Sequence, residues 1–258
     1  MATQRRALAH ERLPLLVARN AQNPRIGRHR KSPGMKIPLC STIAPAIRPM
    51  PADLQFSAHE IAALHNRATQ AWHETVESCV PVAESLPDAQ PFLTTVLAQH
   101  RANFDLWHTE DRARAPRATD HDIAEVKRAI DGFNQLRNDL AERCDTFLLE
   151  HLAARGLPNP DGELHSESPG LIIDRLSILA LKIFHTQEEI DRPSAPAGHA
   201  ARNRERLALL DEQRSNLIGC LDRLWAEVLT GSRRFKIYRQ LKMYNDPTLN
   251  PAIYGSGS

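Results

Sequence analysis

The nine residues His65 to His73 and the nine residues His100 to His108 both read His-x6-Trp-His, one stretch 35 residues after the other. Histidine is the side chain best suited to proton transfer near neutral pH, and its neutral ring binds divalent transition metals. At about 100° per residue, the seven-residue step puts the first His and the Trp on nearly one helix face, with the second His roughly 80° further round. The second stretch opens a longer stripe, His100, Asn103, Trp107, Asp111 and Arg114, at steps of 3, 4, 4 and 3. That spacing belongs to a core-facing helix surface, yet the stripe is filled largely with polar groups. An unpaired polar group costs about 1–3 kcal/mol to bury, so the stripe has to meet another polar surface or a ligand. Asp174, Ser177, Leu181, His185 and Glu188 repeat the same steps further along.

Two such stripes facing each other would enclose a pocket of imidazole, carboxylate and cationic groups. The candidates for acid/base or metal-binding groups are His100, His108, Glu110, Asp111, Asp174 and His185; the candidates for holding an anionic substrate are Asn103, Trp107, Arg114, Arg175 and Lys182. Two plainer readings stand beside this one. The echo is a fortuitous match between two amphipathic helices, and the stripes are an internal salt-bridge network such as Asp111 to Arg175 and Arg114 to Asp174. No spacing matches a known catalytic metal motif, so a metal is a secondary expectation to which no ligands are assigned, and the cofactor is left unspecified.

The elements that must position these groups are helices. Ser57 with Glu60 makes a capping box, opening a helix that runs to about Val80 before Pro81. A second helix follows Pro87-Asp88 and ends near Ala115, where Pro116 stops it. A third starts near Thr119-Asp120, with Ile123, Val126, Ile130, Phe133, Leu136, Leu140, Cys144 and Phe147 as its apolar stripe and Gly156 as its stop. Ser168-Pro169 supplies an N-cap and an N1 proline for a fourth helix, apolar nearly all round and therefore central, ending before Pro193. A fifth runs from about His199 to Thr230, and residues 232–244 predict a shorter sixth. Alternating strand patterns bounded by turns are absent. The expected fold is all-α, an antiparallel bundle of about five or six helices joined by short loops.

The formal charge of +2 over 258 residues hides an asymmetry. Residues 1–50 hold ten Lys or Arg against one acid, Glu11, leaving 23 cations against 30 acids in the remainder. The proline-punctuated basic segment predicts a disordered arm, or sequence upstream of a true start at Met35 or Met50. Its only apolar run, Leu13 to Ala18, is short and contains Pro14, a poor fit to a secretory signal. Residues 51–254 are expected to form one helical domain, with 255–258 as a flexible tail. No apolar run approaches the roughly 20 residues of a transmembrane helix. The four cysteines, at 40, 79, 144 and 220, form no CxxC pair and read as reduced thiols of a cytoplasmic protein. Nucleic-acid binding is not expected of a body with this acidic excess.

Three motifs in order carry a family resemblance. They are Leu106-Trp107-His108-x-Glu110-Asp111-x-Ala113-Arg114; His165-Ser166-Glu167-Ser168-Pro169-Gly170 leading into residues 173–182; and the basic run from Arg233 to Pro247. Over about residues 55–254 the chain resembles a bacterial domain-of-unknown-function family, DUF4254. The resemblance implies a helical bacterial protein associated with cell-envelope glycan genes, and no particular activity. In the third motif Arg233, Arg234, Lys236, Arg239 and Lys242 alternate with apolar residues. Such a face binds phosphate or a nucleotide-sugar diphosphate, through Arg239 and Lys242 among others, or anionic lipid, or docks on the protein's own acidic body.

Three functions compete on this reading. One is an enzyme acting on a small anionic, phosphorylated or nucleotide-sugar substrate between the second and fourth helices. Another is a non-catalytic helical partner of an envelope glycan enzyme. The third is a helical ribonuclease-like module, suggested by Arg101-x6-His108. Oligomeric state is not legible.

Overall fold

In the computed structural model, residues 56–74, 91–239 and 248–249 are described. They form five helices and one very short sheet: α1 (Ala58–Glu74), α2 (Pro91–Ala113), α3 (Asp120–Ala153), β1 (Glu163–Leu164), α4 (Pro169–Ile190), α5 (His199–Leu229) and β2 (Arg233–Arg234). The fold is all-α, and among the described residues no helix is long and apolar enough to cross a membrane.

Local chemistry sets most of the boundaries. Ser57 and Glu60 cap α1 reciprocally, each backbone N–H donating to the other's side chain at 3.2 Å. Thr119 and Asp122 do the same for α3. Ser168 caps α4 with Pro169 at its first position. Gly156 and Gly231 take positive φ, +68° and +76°, directly after α3 and α5, the left-handed stop that a residue with a Cβ adopts only at a cost.

The core lies along α4, which packs against all four other helices. Its Ile172, Ile173, Leu176 and Leu181 are fully buried, as are Leu148 and Leu152 of α3, Leu221 and Leu224 of α5, Ile61 of α1 and Phe92 of α2. At the start of α4 the Asp145 carboxylate accepts from Ser168 Oγ at 2.5 Å and from the Gly170 N–H at 2.6 Å. A neighbouring helix thereby satisfies the Gly170 N–H, a backbone donor that a helix end otherwise leaves orphaned.

Contacts between named pairs fix the helix directions. Arg137 meets Asp174 and Asp145 meets Gly170, so α3 and α4 are antiparallel. By contrast His65 stacks on His100, His73 meets His108, His100 bonds Ser177 and His108 meets His185. Thus α1, α2 and α4 run in the same sense and in one register: His65, His100 and Ser177 lie at one level, and His73, His108 and His185 each follow eight residues later. Eight residues of helix rise about 12 Å, so the three helices share two polar layers at that separation.

Three expectations need correcting. The bundle is not antiparallel throughout, because the shared histidine register aligns α1, α2 and α4 in one sense, while α3 is antiparallel to α4. Residues 232–239 are not helical. Arg233 and Arg234 pair in parallel with Glu163 and Leu164, and residues 235–239 have no regular structure. Tertiary contacts win over local helix propensity here: the Glu163 N–H donates to Ser232 O, the His165 N–H donates to Arg234 O, Arg233 is ion-paired to Glu227 at 2.7 Å and Glu163 at 3.3 Å, and Phe235 is buried. The rest of that expected helix, residues 240–244, lies outside the described residues, as do 75–80 of the first. The α3 stripe also differs from expectation. Ile123 and Leu136 are exposed, while Ala141, Leu148 and Leu152 are buried. The expected steps average less than 3.6 residues, so over a helix of 34 residues the stripe drifts off the buried face.

Candidate functional site

The lower polar layer is closed. His100 is fully buried, with Nε2 on Thr69 Oγ1 at 2.9 Å and Nδ1 on Ser177 Oγ at 2.8 Å. Its ring is stacked between His65 and Trp72. Burial lowers the His100 pKa to about 3, so near neutral pH it is an uncharged ring ordering the seam. The Asn103 amide donates to Asp174 Oδ1 and to Ser177 Oγ, each at 2.9 Å, and its oxygen accepts from Arg137 Nη1 at 3.1 Å. Gln99 also donates to Asp174, and Arg137 Nη1 stands 3.7 Å from Asp174 Oδ2. Burial raises the Asp174 pKa, opposed by Arg137, Asn103 and Gln99. The polar stripes of α2 and α4 therefore meet, but not through the ion pairs the sequence suggests. Arg114 pairs with Glu110 and Arg175 with Glu167, because the parallel register puts Asp174 beside residues 99 and 103, about three turns below Arg114.

The upper layer brings together His73 of α1, His108 of α2 and His185 of α4, with one potential ligand atom from each and all three within 4.8 Å of one another. His73 Nδ1 donates to the Thr69 carbonyl at 2.7 Å, and His185 Nδ1 donates to Glu188 Oε2 at 2.7 Å. Since a carbonyl and a carboxylate can only accept, each Nδ1 carries a hydrogen, and in the uncharged ring the lone pair is then on Nε2. Those two Nε2 atoms are buried and have no hydrogen-bond partner. Aromatic rings surround the layer. Phe184 stacks on His73 at 4.2 Å, Trp107 lies nearly parallel to His185 at 4.8 Å, and Phe104 meets His108 edge-on. Burial, with a smaller contribution from His185, lowers the pKa of His73.

Beside these layers α2, α3 and α4 border an open cleft of about 520 Å³. Asn103, Trp107, Glu110, Asp111 and Arg114 line it from α2, Asn134 and Arg137 from α3, and Ile178 and Leu181 from α4. Of the expected site residues, five thus line the cleft, Asp174 and His100 lie in the lower layer, and His108 and His185 in the upper. Arg175 and Lys182 are on the exposed face of α4, and Arg239 is exposed beyond β2. Lys242 lies outside the described residues. Arg101, invoked for a ribonuclease-like site, is ion-paired to Asp105 and lies over the Trp72 ring.

Sequence reasoning missed Arg137, Asn134 and His73. Nothing local marks the two α3 residues. His73 had a signal: it is the second His of the first echo, matching His108 in the second.

A helical bundle with a polar seam shared by three parallel helices, bordered by an open cleft, is the class of protein that this fold and site define. The chain belongs to the family described as "Protein of unknown function (DUF4254)", which matches residues 93–237. The match begins within α2 and ends shortly after β2, a narrower span than 55–254, so α1 and its histidines lie outside it. No curated protein matches the chain, and no solved structure does.

Proposed function

We propose that the chain is an enzyme acting on a small anionic substrate, a sugar phosphate or nucleotide sugar, bound in the cleft between α2, α3 and α4. The observation that carries this reading is the convergence on one cleft of an aromatic ring, Trp107, two arginines, Arg114 and Arg137, and two carboxylates, Glu110 and Asp111. An aromatic face suits a sugar or base ring, guanidinium groups suit phosphate oxygens, and paired acids serve proton transfer. Asn103 and Asp174 hold Arg137 in place from below. The family resemblance supports a role in cell-envelope glycan synthesis, and the reading of the cysteines as reduced thiols supports a cytoplasmic location. The partner-protein reading rests on the basic run after α5 or on an exposed helical face, and of that run Arg233 and Arg234 are engaged within the chain.

A thermal-shift screen over nucleotide sugars and sugar phosphates tests the reading. A saturable rise in Tm is expected with at least one compound and should disappear in Trp107→Ala, Arg114→Ala and Asp111→Asn variants of unchanged far-UV circular dichroism. No shift with any compound, or a shift retained in all three variants, refutes it.

A further inference from the structure

We propose that His73, His108 and His185 form a binding site for one divalent first-row transition metal ion, with Zn2+ as the reference ion. The inference goes beyond the cleft reading and does not rest on it. The three side chains come from three parallel helices at one register, and their ligand atoms already lie within 4.8 Å of each other. Nitrogens bound tetrahedrally to Zn2+ at about 2.0–2.1 Å stand about 3.4 Å apart, so closing the site takes ring movements on the order of 1 Å.

Two observations besides proximity point to a ligand. The buried Nε2 atoms of His73 and His185 have no hydrogen-bond partner, and with Nδ1 donating, the uncharged rings offer their lone pairs there. An unsatisfied buried nitrogen is costly, and two in one cluster are accounted for by a cation that accepts electron pairs. In addition, the opposite nitrogens are held by a backbone carbonyl and a carboxylate, the outer-sphere arrangement that orients metal-bound histidines and raises their basicity. With three imidazoles and no carboxylate in the set, the site favours Zn2+, Co2+, Ni2+ or Cu2+ over Mg2+ and Ca2+, which take oxygen ligands. Three protein ligands leave a fourth position for water or a substrate atom, and a metal there would act as a Lewis acid or activate a bound water. Trp107, stacked on His185, is also a wall of the cleft, which places the metal against the substrate site.

The test uses the full chain, stripped with a chelator and titrated with Zn2+ by calorimetry and with Co2+ by visible absorption. Expected are one equivalent of metal per chain and a tetrahedral Co2+ spectrum that Zn2+ abolishes. His73→Gln, His108→Gln and His185→Gln should each weaken binding by about 100-fold or more. Glu188→Gln, which leaves all three ligands in place, should weaken it by about 10-fold at unchanged stoichiometry. His121→Ala, a substitution of an exposed histidine on α3, should change nothing. No saturable binding by the folded wild type, or binding retained in the His73→Gln/His185→Gln double variant, overturns the proposal. If the histidine variants misfold, the wild-type Co2+ spectrum and the Glu188→Gln affinity decide it alone. Metal binding without any sugar-phosphate shift would leave this site standing and the cleft reading refuted, and the converse result would do the opposite.

Discussion

Replacing Gly170 by alanine probes the contact that sets α4 in place. A methyl group there would run into the Ala141 carbonyl oxygen of α3, and it would lie 3.0 Å from both the Asp145 carboxyl carbon and Oδ1. The first obstacle is backbone, so no side-chain rotation relieves it and the helices have to separate. Overpacking of this kind costs about 1–3 kcal/mol. Separation also stretches the bonds to Asp145 from the Gly170 N–H and Ser168 Oγ–H, and a buried group left without its hydrogen bond costs about 1–3 kcal/mol. Alanine returns roughly 0.5–1 kcal/mol of helix propensity. With one of the two bonds lost, the net destabilisation is about 2–4 kcal/mol, a Tm decrease on the order of 10 °C for a domain of this size. Gly132 in α3 and Gly219 in α5 supply the control, because an added methyl meets nothing within 4 Å at either position. Alanine at those two sites should raise stability by about 0.5–1 kcal/mol. Urea unfolding followed by far-UV circular dichroism measures all three variants. A Gly170→Ala midpoint equal to or above the wild type would refute the close approach of α3 and α4.

Three further predictions use buried groups. His65 is fully buried with neither ring nitrogen hydrogen-bonded, and burial holds its pKa well below the usual value; its contribution to stability is present above about pH 6.5 and lost as pH falls, so His65→Phe should add about 1 kcal/mol at pH 7 and more in acid, read from urea midpoints. Asp145 is shifted the other way. Burial raises its pKa to about 7, so its stabilising contribution is complete below about pH 4 and is lost as pH rises through 7, and Asp145→Asn should flatten the stability profile between those limits. Phe235, buried beyond β2, should cost about 3–5 kcal/mol when replaced by alanine, whereas the same change at exposed Tyr238 should stay within about 0.5 kcal/mol in thermal melts.

What could be read from sequence was what neighbouring residues determine together. The caps at Ser57, Thr119 and Ser168 and the glycine stops at 156 and 231 act within one turn of chain, so within the described residues the helix boundaries were legible to within a few residues. The centrality of α4 was equally visible, because a helix apolar nearly all round has to be enclosed. Pairings across the chain were not. Arg233 and Glu163 are 70 residues apart, and no local pattern marks two residues as a bridge, so the segment after α5 read as a helix. The site shows the same division. Steps of three and four exposed the stripes on α2 and α4, but Arg137 of α3 carries no periodic signature of the Asp174 it meets. His73 was in plain view within the echo. It lies roughly 80° round α1 from His65, and only the parallel register of three helices joins it to His108 and His185.

The β1–β2 bridge has a consequence for motion. It ties the chain leaving α5 to the connection entering α4 by backbone hydrogen bonds, at the end of the bundle where α4 begins. At the opposite end the α4–α5 turn is clasped by side chains, with Glu189 bonded to Arg192 and His199, and such partly exposed ion pairs contribute little. Amide hydrogen exchange should therefore grade along the long axis, slowest around Leu148, Ile172 and Leu224 and fastest towards Glu189 and Arg192. The three histidines sit toward the looser end, where brief local opening can admit an ion or a small molecule while the stapled end stays closed.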